Sequence, residues 1–341
     1  MLSPENLAAL VLHVALVMYA LFGGADFGGG ILTAFASGPR AREQRDSLFL
    51  AIGPVWETNH IWLIFMVVTL FTAFPKGFSA LFVALLVPLV AALIGINFRG
   101  AAFAFRHFGR ETGEDVPLWG RIFEVASILT PYALGMAVTA TAAGGIVLVD
   151  DQVSYGPHAW ISPFTLMGGL VGMAICAYLA PIYMTVRTSG ELREDFRMRG
   201  LVAALILGLL TAVEIPVALK DAPLFAGRLL GSWPLLIVFI AVAAGVATQL
   251  LLWRRRFRAA QIMAASAVTL TISGFSAAMF PDLLVGTLSI SAAAAPRPAL
   301  IAYLAVLPVG ALVLVPSLIF LYWTFRGTPD PYASPAVHDE E

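Results

Sequence analysis

Two carboxylates, Asp26 and Glu57, lie inside long apolar stretches, in Gly23-Gly24-Ala25-Asp26-Phe27-Gly28-Gly29-Gly30 and Pro54-Val55-Trp56-Glu57-Thr58-Asn59-His60-Ile61-Trp62. An ionised side chain near a bilayer centre costs about 2.5–3.5 kcal/mol on insertion scales, so an acid kept there is by default functional, and holding or passing a proton is the chemistry it does best. His60 follows Glu57 by three residues, so both can share one helical face. An imidazole beside a carboxylate can relay protons near neutral pH, and it can also ligate a haem or a metal. Of the five histidines, only His13 and His60 fall clearly within apolar stretches, in the outer and inner halves of their spans. They are poorly placed to hold one iron together, and a structural histidine is the expected reading. The plainer alternative for the two acids is that each satisfies neighbouring donors. Trp56 and Trp62 frame the second motif inside the span rather than at an interface, and Trp56 is expected to pack with its indole N–H satisfied. Glu124, Glu214 and Asp282 read as residues of helix ends, and Met173, Met184 and Met279 as packing. The glycine-rich string follows no strand and is not a nucleotide loop.

The elements that must position these residues are membrane spans. Of the 341 residues, 60% are hydrophobic and only 12% charged, which excludes a soluble domain. Nine spans are expected, over about 6–36, 51–74, 78–98, 122–149, 159–186, 200–219, 232–253, 260–280 and 299–323. Alternate connections carry nearly all the positive charge. Arg40, Arg42, Arg45, Arg99, Arg106, Arg110, Arg121, Arg187, Arg193, Arg197, Arg199, Arg254, Arg255, Arg256, Arg258 and Arg326 fall on one side. Lys76, Lys220, Arg228 and Arg297 fall on the other. The positive-inside rule then puts the N-terminus outside and the C-terminus inside. Residues 1–326 are expected to form a single transmembrane helical domain. Residues 327–341 are expected to be a polar, disordered cytoplasmic tail. Segment 99–121 is expected to extend the third helix along the membrane surface. Two four-helix bundles plus one peripheral helix would account for nine spans. The first apolar run has no basic residue before it, which argues against a signal peptide. The single cysteine, Cys176, excludes structural disulfides and cysteine-rich metal sites, and no basic tract suggests nucleic acid.

Within this frame Asp26 lies about ten residues before the inner end of the first helix, on the order of 15 Å deep. Glu57 lies near the inner start of the second. Antiparallel neighbours could bring both acids into one polar file opening to the cytoplasm, and Gly24-x-x-x-Gly28 offers a small-residue face for close approach of another helix.

At these residues the chain resembles subunit II of the cytochrome bd family of quinol oxidases, including its cyanide-insensitive branch. The resemblance is carried by the Gly-Ala-Asp-Phe-Gly-Gly-Gly string of the first helix and by Trp56-Glu57-Thr58-Asn59-His60-Ile61-Trp62. It continues in Phe71-Thr72-Ala73-Phe74-Pro75-Lys76, in Phe98-Arg99-Gly100-Ala101-Ala102-Phe103-Ala104-Phe105-Arg106 and in Phe280-Pro281. The resemblance implies a heterodimer with a haem-bearing subunit I, which would hold two b-type haems, one d-type haem and the quinol-oxidising loop. This chain would carry no haem ligand and no catalytic residue. Glu57 would lie on the cytoplasmic proton path, with Asp26 and His60 on the same or a second route. Trp62 would lie near an apolar access route for dioxygen, and Trp56, Asn59 and Arg99 would complete the motif by packing. Quinol would be oxidised at the partner's outer face and dioxygen reduced to water with cytoplasmic protons, in a bacterial inner membrane. A small single-helix subunit and a structural quinone stay open.

The competing reading is a proton-coupled secondary transporter using Asp26 and Glu57, with the glycine-rich string as a helix break. The sequence shows no second interrupted helix in a matching place, and an odd number of spans suits a two-fold repeat poorly. A haem-bearing membrane anchor would need paired histidines that the chain does not offer.

Overall fold

The computed structural model describes residues 3–52, 56–112, 117–149, 152–231 and 233–324, with side chains throughout except at 56, 57, 107–112, 149 and 322. Helix α1 (Pro4–Ala34) begins where its sequence predicts: Ser3 accepts a hydrogen bond from the Asn6 amide, and Pro4 occupies the first turn. A short amphipathic helix, α2 (Ala41–Ile52), follows in place of the expected open loop. Next come a single turn, α3 (Trp56–Asn59), and the apolar α4 (Ile61–Ala73). At Phe74 the chain leaves helical geometry, φ −134° and ψ 59°, because Pro75 disfavours a helical residue before it. Pro75 then starts α5 (Pro75–Ala84), and the axis turns by 120°.

The third long helix, α6 (Leu86–Thr112), runs on past residue 98 into the segment expected to extend it. Arg99 and Arg106, counted above as residues of a connection, are therefore helical. Helix α7 (Pro117–Ala140) ends nine residues earlier than expected. There the small-residue run Thr141-Ala142-Ala143-Gly144-Gly145 releases the chain, with Gly144 at φ +73°. The β-branched segment after it forms a hairpin of β1 (Ile146–Val149) with β2 (Gln152–Tyr155), Ile146 opposite Tyr155.

Helix α8 (Pro163–Arg187) opens with a capping box between Ser162 and Thr165, and Asp221 accepts from its Phe164 amide at 3.1 Å. Then follow α9 (Gly190–Asp221), α10 (Pro223–Gly231), α11 (Pro234–Trp253) and α12 (Phe257–Met279). A tight hairpin of β3 (Asp282–Leu284) and β4 (Leu288–Ser289), the turn α13 (Ile290–Ala293) and α14 (Arg297–Thr324) complete the described chain. Asp282 is more than a helix-end residue. It pairs with Arg228 at 2.9 Å and accepts from the Gly286 amide.

Among the described residues, eight helices are long and apolar enough to cross a membrane, and the bent α4–α5 pair is a further candidate. The chain is an all-α, multi-pass membrane protein. Helices α1, α7 and α8 pack together at its centre, α6 lies against α7, and α4 against α1. On the other side α8 meets α9 and α12, while α11 fills between these two. Helix α14 packs on α1 and α4 with its apolar side chains facing outward, as lipid contact requires. The expected tail, residues 327–341, lies outside the described residues.

The central contact is a backbone approach. A Cβ on Gly28 would fall 2.0 Å from the carbonyl oxygen of Cys176 on α8. One on Gly30 would fall 2.0 Å from the Ser127 hydroxyl on α7. The obstacle at Gly28 is main chain and cannot swing aside. Gly28→Ala is accordingly expected to destabilise the protein by about 1–3 kcal/mol. A thermal unfolding midpoint in detergent equal to that of the unaltered protein would contradict this packing.

The arginine-rich end is held by a second device. Arg40 grips both carboxylate oxygens of Asp195 on α9, Nε and Nη2 each at 2.8 Å, and Gln44 on α2 donates to the same group at 3.0 Å. Arg199 donates to the Phe35 carbonyl and to the Gln44 side-chain oxygen, both at 2.9 Å. Bidentate geometry of this kind fixes orientation as well as distance, so α2 and α9 are both tied to the end of α1.

Candidate functional site

Asp26 is 6% exposed and projects from the glycine-flanked part of α1. Its Oδ2 accepts a hydrogen bond from Asn59 Nδ2 at 2.5 Å, and Asn59 is itself 3% exposed. The two motifs that stand out in the sequence thus meet through Asp26 and Asn59. Glu57 lies on α3, which packs against α1, but its side chain lies outside the described residues, as does that of Trp56.

The third member comes from α6. Arg99 is 1% exposed and, among the described residues, the largest fully buried side chain. Its Nη2 donates to the main-chain carbonyl of Asp26 at 3.0 Å, and its Nε to Ser127 Oγ at 3.2 Å. Its guanidinium carbon lies 4.9 Å from the Phe27 ring centre and 5.1 Å from that of Phe123. Arginine tolerates such a place because its planar head stacks on aromatic faces while its edge donates hydrogen bonds. Buried ions need partners, and the positive group here sits beside the backbone of the residue whose carboxylate it balances.

A fourth group extends the cluster toward the other motif. The His60 ring lies 5.8 Å from Phe27 and 6.1 Å from Tyr19, centre to centre. Among the described residues, His60 Nδ1 and the Tyr19 hydroxyl are buried without a hydrogen-bond partner. Buried polar atoms of that kind are where water or another polar group is normally taken up. Trp62 packs beside them with Ile31, Cys176 and Ile96, its ring edge-on to Phe65 at 6.4 Å.

A carboxyl, an amide, a guanidinium, two hydroxyls and an imidazole share one interior region of an otherwise apolar protein. Such a set can hold a proton and hand it between oxygen and nitrogen atoms. His13, the other histidine within a span, has both ring nitrogens engaged, Nδ1 with Ser276 at 3.0 Å and Nε2 with Ser273 at 3.1 Å. It ties α1 to α12, the structural role expected of it. Among the described residues no group of three His, Cys, Asp or Glu side chains could hold a metal ion.

Reasoning from sequence placed Arg99 at a membrane surface and left out Ser127 and Tyr19. Apolar residues continue beyond Arg99 through Ala102, Phe103 and Phe105 and carry the helix on as expected, but that spacing does not separate a buried arginine from a surface one. Ser127 and Tyr19 are single polar residues in helical stretches, and nothing local distinguishes them.

A family model described as cytochrome bd terminal oxidase subunit II matches residues 4–325. The chain is 27% identical to cytochrome bd ubiquinol oxidase subunit 2 of Bacillus subtilis (strain 168) over 223 residues, 65% of this chain and 64% of that protein. It is 31% identical to cytochrome bd-I ubiquinol oxidase subunit 2 of Escherichia coli (strain K12) over 202 residues, 58% of this chain and 52% of that one. The matched stretches therefore span less than two thirds of these relatives' lengths. In fold the chain is similar to a chain of the bd oxidase from Geobacillus thermodenitrificans, with a TM-score of 0.78 and 21% identity, covering 95% of this chain and 99% of that chain.

Proposed function

Because this chain belongs to the cytochrome bd terminal oxidase subunit II family, we propose that it is the haem-free second subunit of a membrane quinol:dioxygen oxidoreductase. In this reading a subunit I carries the b-type and d-type haems and the quinol site. This chain stabilises that subunit in the bacterial inner membrane and supplies part of the cytoplasmic proton path for reducing dioxygen to water. Haem chemistry belongs to the partner. What this chain contributes is a fixed set of proton-holding groups within a dry helical frame.

The observation that carries the reading is the buried Asp26–Asn59 pair backed by Arg99. A carboxyl, Asp26, is sequestered from lipid, held in one orientation by an amide and kept near a positive charge. Glu57 belongs to the same turn, α3, as Asn59 and is the residue assigned to proton exchange, with His60 and Asp26 on the route. The engagement of both His13 nitrogens supports placing the haems elsewhere. Helices α1, α4, α6 and α7 would form one four-helix bundle, α8, α9, α11 and α12 the second, and α14 the peripheral ninth span. The concentration of arginine at one end supports an outside N-terminus and an inside C-terminus.

The test is turnover per haem in the purified complex. Asp26→Asn keeps the size of the side chain but removes the acid. We expect oxygen consumption with quinol to fall by about tenfold or less, a milder loss than at Glu57, because Asp26 is anchored by Asn59 rather than free to reorient. A loss as large as that at Glu57 would reverse the ranking of the two acids. Unchanged turnover would remove Asp26 from the route.

A further inference from the structure

At the arginine-rich end, away from the Asp26 cluster, a cavity of about 360 Å³ opens between the end of α8, the start of α9 and the turn from α11 into α12. Thr185, Val186, Arg193, Arg256, Phe257 and Arg258 line it. Three arginines line one hollow, and among the described residues no ion pair engages any of them. The nearby acids are committed elsewhere. Glu194 pairs with Arg197 and, at 3.5 Å, with Arg255, while Glu191 pairs with Arg40. Arg193 is pre-set for the task. Its Nε donates to the Thr188 carbonyl at 2.6 Å and its head lies 5.3 Å from the Phe257 ring centre, which leaves its two terminal nitrogens to donate.

We propose that this cavity binds a phosphate-bearing anion. Arginine forks match phosphate oxygens, and the first amides of α12 add a field of the same sign. The place suits a headgroup, since apolar spans end here and basic residues at that depth attract acidic lipid. Ile262, one turn along α12 from Arg258, is 63% exposed and offers an apolar flank for an acyl chain. The proposal is independent of the proton-path reading.

The experiment uses the complex as purified from membranes, placed in phosphatidylcholine nanodiscs with increasing phosphatidylglycerol, and reads the thermal unfolding midpoint. A saturable rise with phosphatidylglycerol is expected. In Arg256→Gln/Arg258→Gln the half-saturating fraction should rise about thirtyfold, the loss expected for two interfacial arginines. Arg254→Gln, exposed in the same turn but outside the cavity, should leave the titration unchanged. Inorganic phosphate titrated in detergent separates the sources. Saturable binding that competes with phosphatidylglycerol assigns a general phosphate site, and failure to compete assigns the lipid headgroup. Equal midpoints in both lipids with no phosphate effect would overturn the proposal, and this comparison needs no substitution. An effect of Arg254→Gln as large as the double change would also overturn it, by reducing it to surface charge.

Discussion

Arg99→Leu is expected to abolish accumulation of the folded protein in the membrane. The substitution keeps an apolar stem but removes the donors to the Asp26 carbonyl and to Ser127 and the cation between Phe27 and Phe123. It also strips Asp26 of its balancing charge in a site that is 6% exposed. Each buried hydrogen bond from a charged group contributes about 1.5–3 kcal/mol, so losing two is a large part of the stability of an ordinary domain. Combining Arg99→Leu with Asp26→Asn should restore part of the yield, since a neutral amide no longer requires a cation. Arg99→Lys should be intermediate, as it keeps the charge but lacks the planar fork. Membrane levels measured by immunoblot, and haem content of the co-purified complex, decide the matter. Normal levels of Arg99→Leu would show that the guanidinium is dispensable.

Glu57→Gln is expected to lower quinol-driven oxygen consumption per haem by on the order of a hundredfold, the usual loss when a proton-transferring group is removed. The glutamine preserves volume and can still hydrogen-bond, so assembly should survive, and haem content should match the unaltered complex. That separation from Arg99→Leu is the useful contrast: one substitution removes the frame, the other the exchangeable proton. Full turnover in a normally assembled Glu57→Gln complex would refute the proton-path role. The expectation rests on the motif shared with the family and on the contact between α3 and α1.

Much of the fold was legible because membrane spans are written in composition. Apolar length sets where helices run, and arginine set apart on alternate connections orients them. Helices α1, α11 and α14 begin and end within a few residues of expectation. Gly28 was legible as a close-approach site because only helix packing rewards a small residue at that spacing. One helix boundary was misread. Residues 141–149 are apolar enough to prolong a helix, but a run of small residues followed by β-branched ones made a hairpin instead. The helix was expected to run on through Arg99, but a basic residue usually marks a surface, so its burial against Phe27 and Phe123 was not legible.

The sequence by itself determined that this is a multi-pass membrane protein, that Asp26 and the Glu57–His60 motif are out of place in lipid, and which family they resemble. Each of these follows from residue type and local spacing, which a single helix already expresses. Only the tertiary structure decided that Asn59 holds Asp26, that Arg99 reaches Asp26 from a helix more than seventy residues away in sequence, and that Ser127 completes the arrangement. Those partners are set by how α1, α3, α6 and α7 rotate and slide against one another. That rotation is fixed by close contacts at Gly28, against the Cys176 backbone, and at Gly30, against the Ser127 side chain, where the absence of a side chain lets neighbouring helices close in.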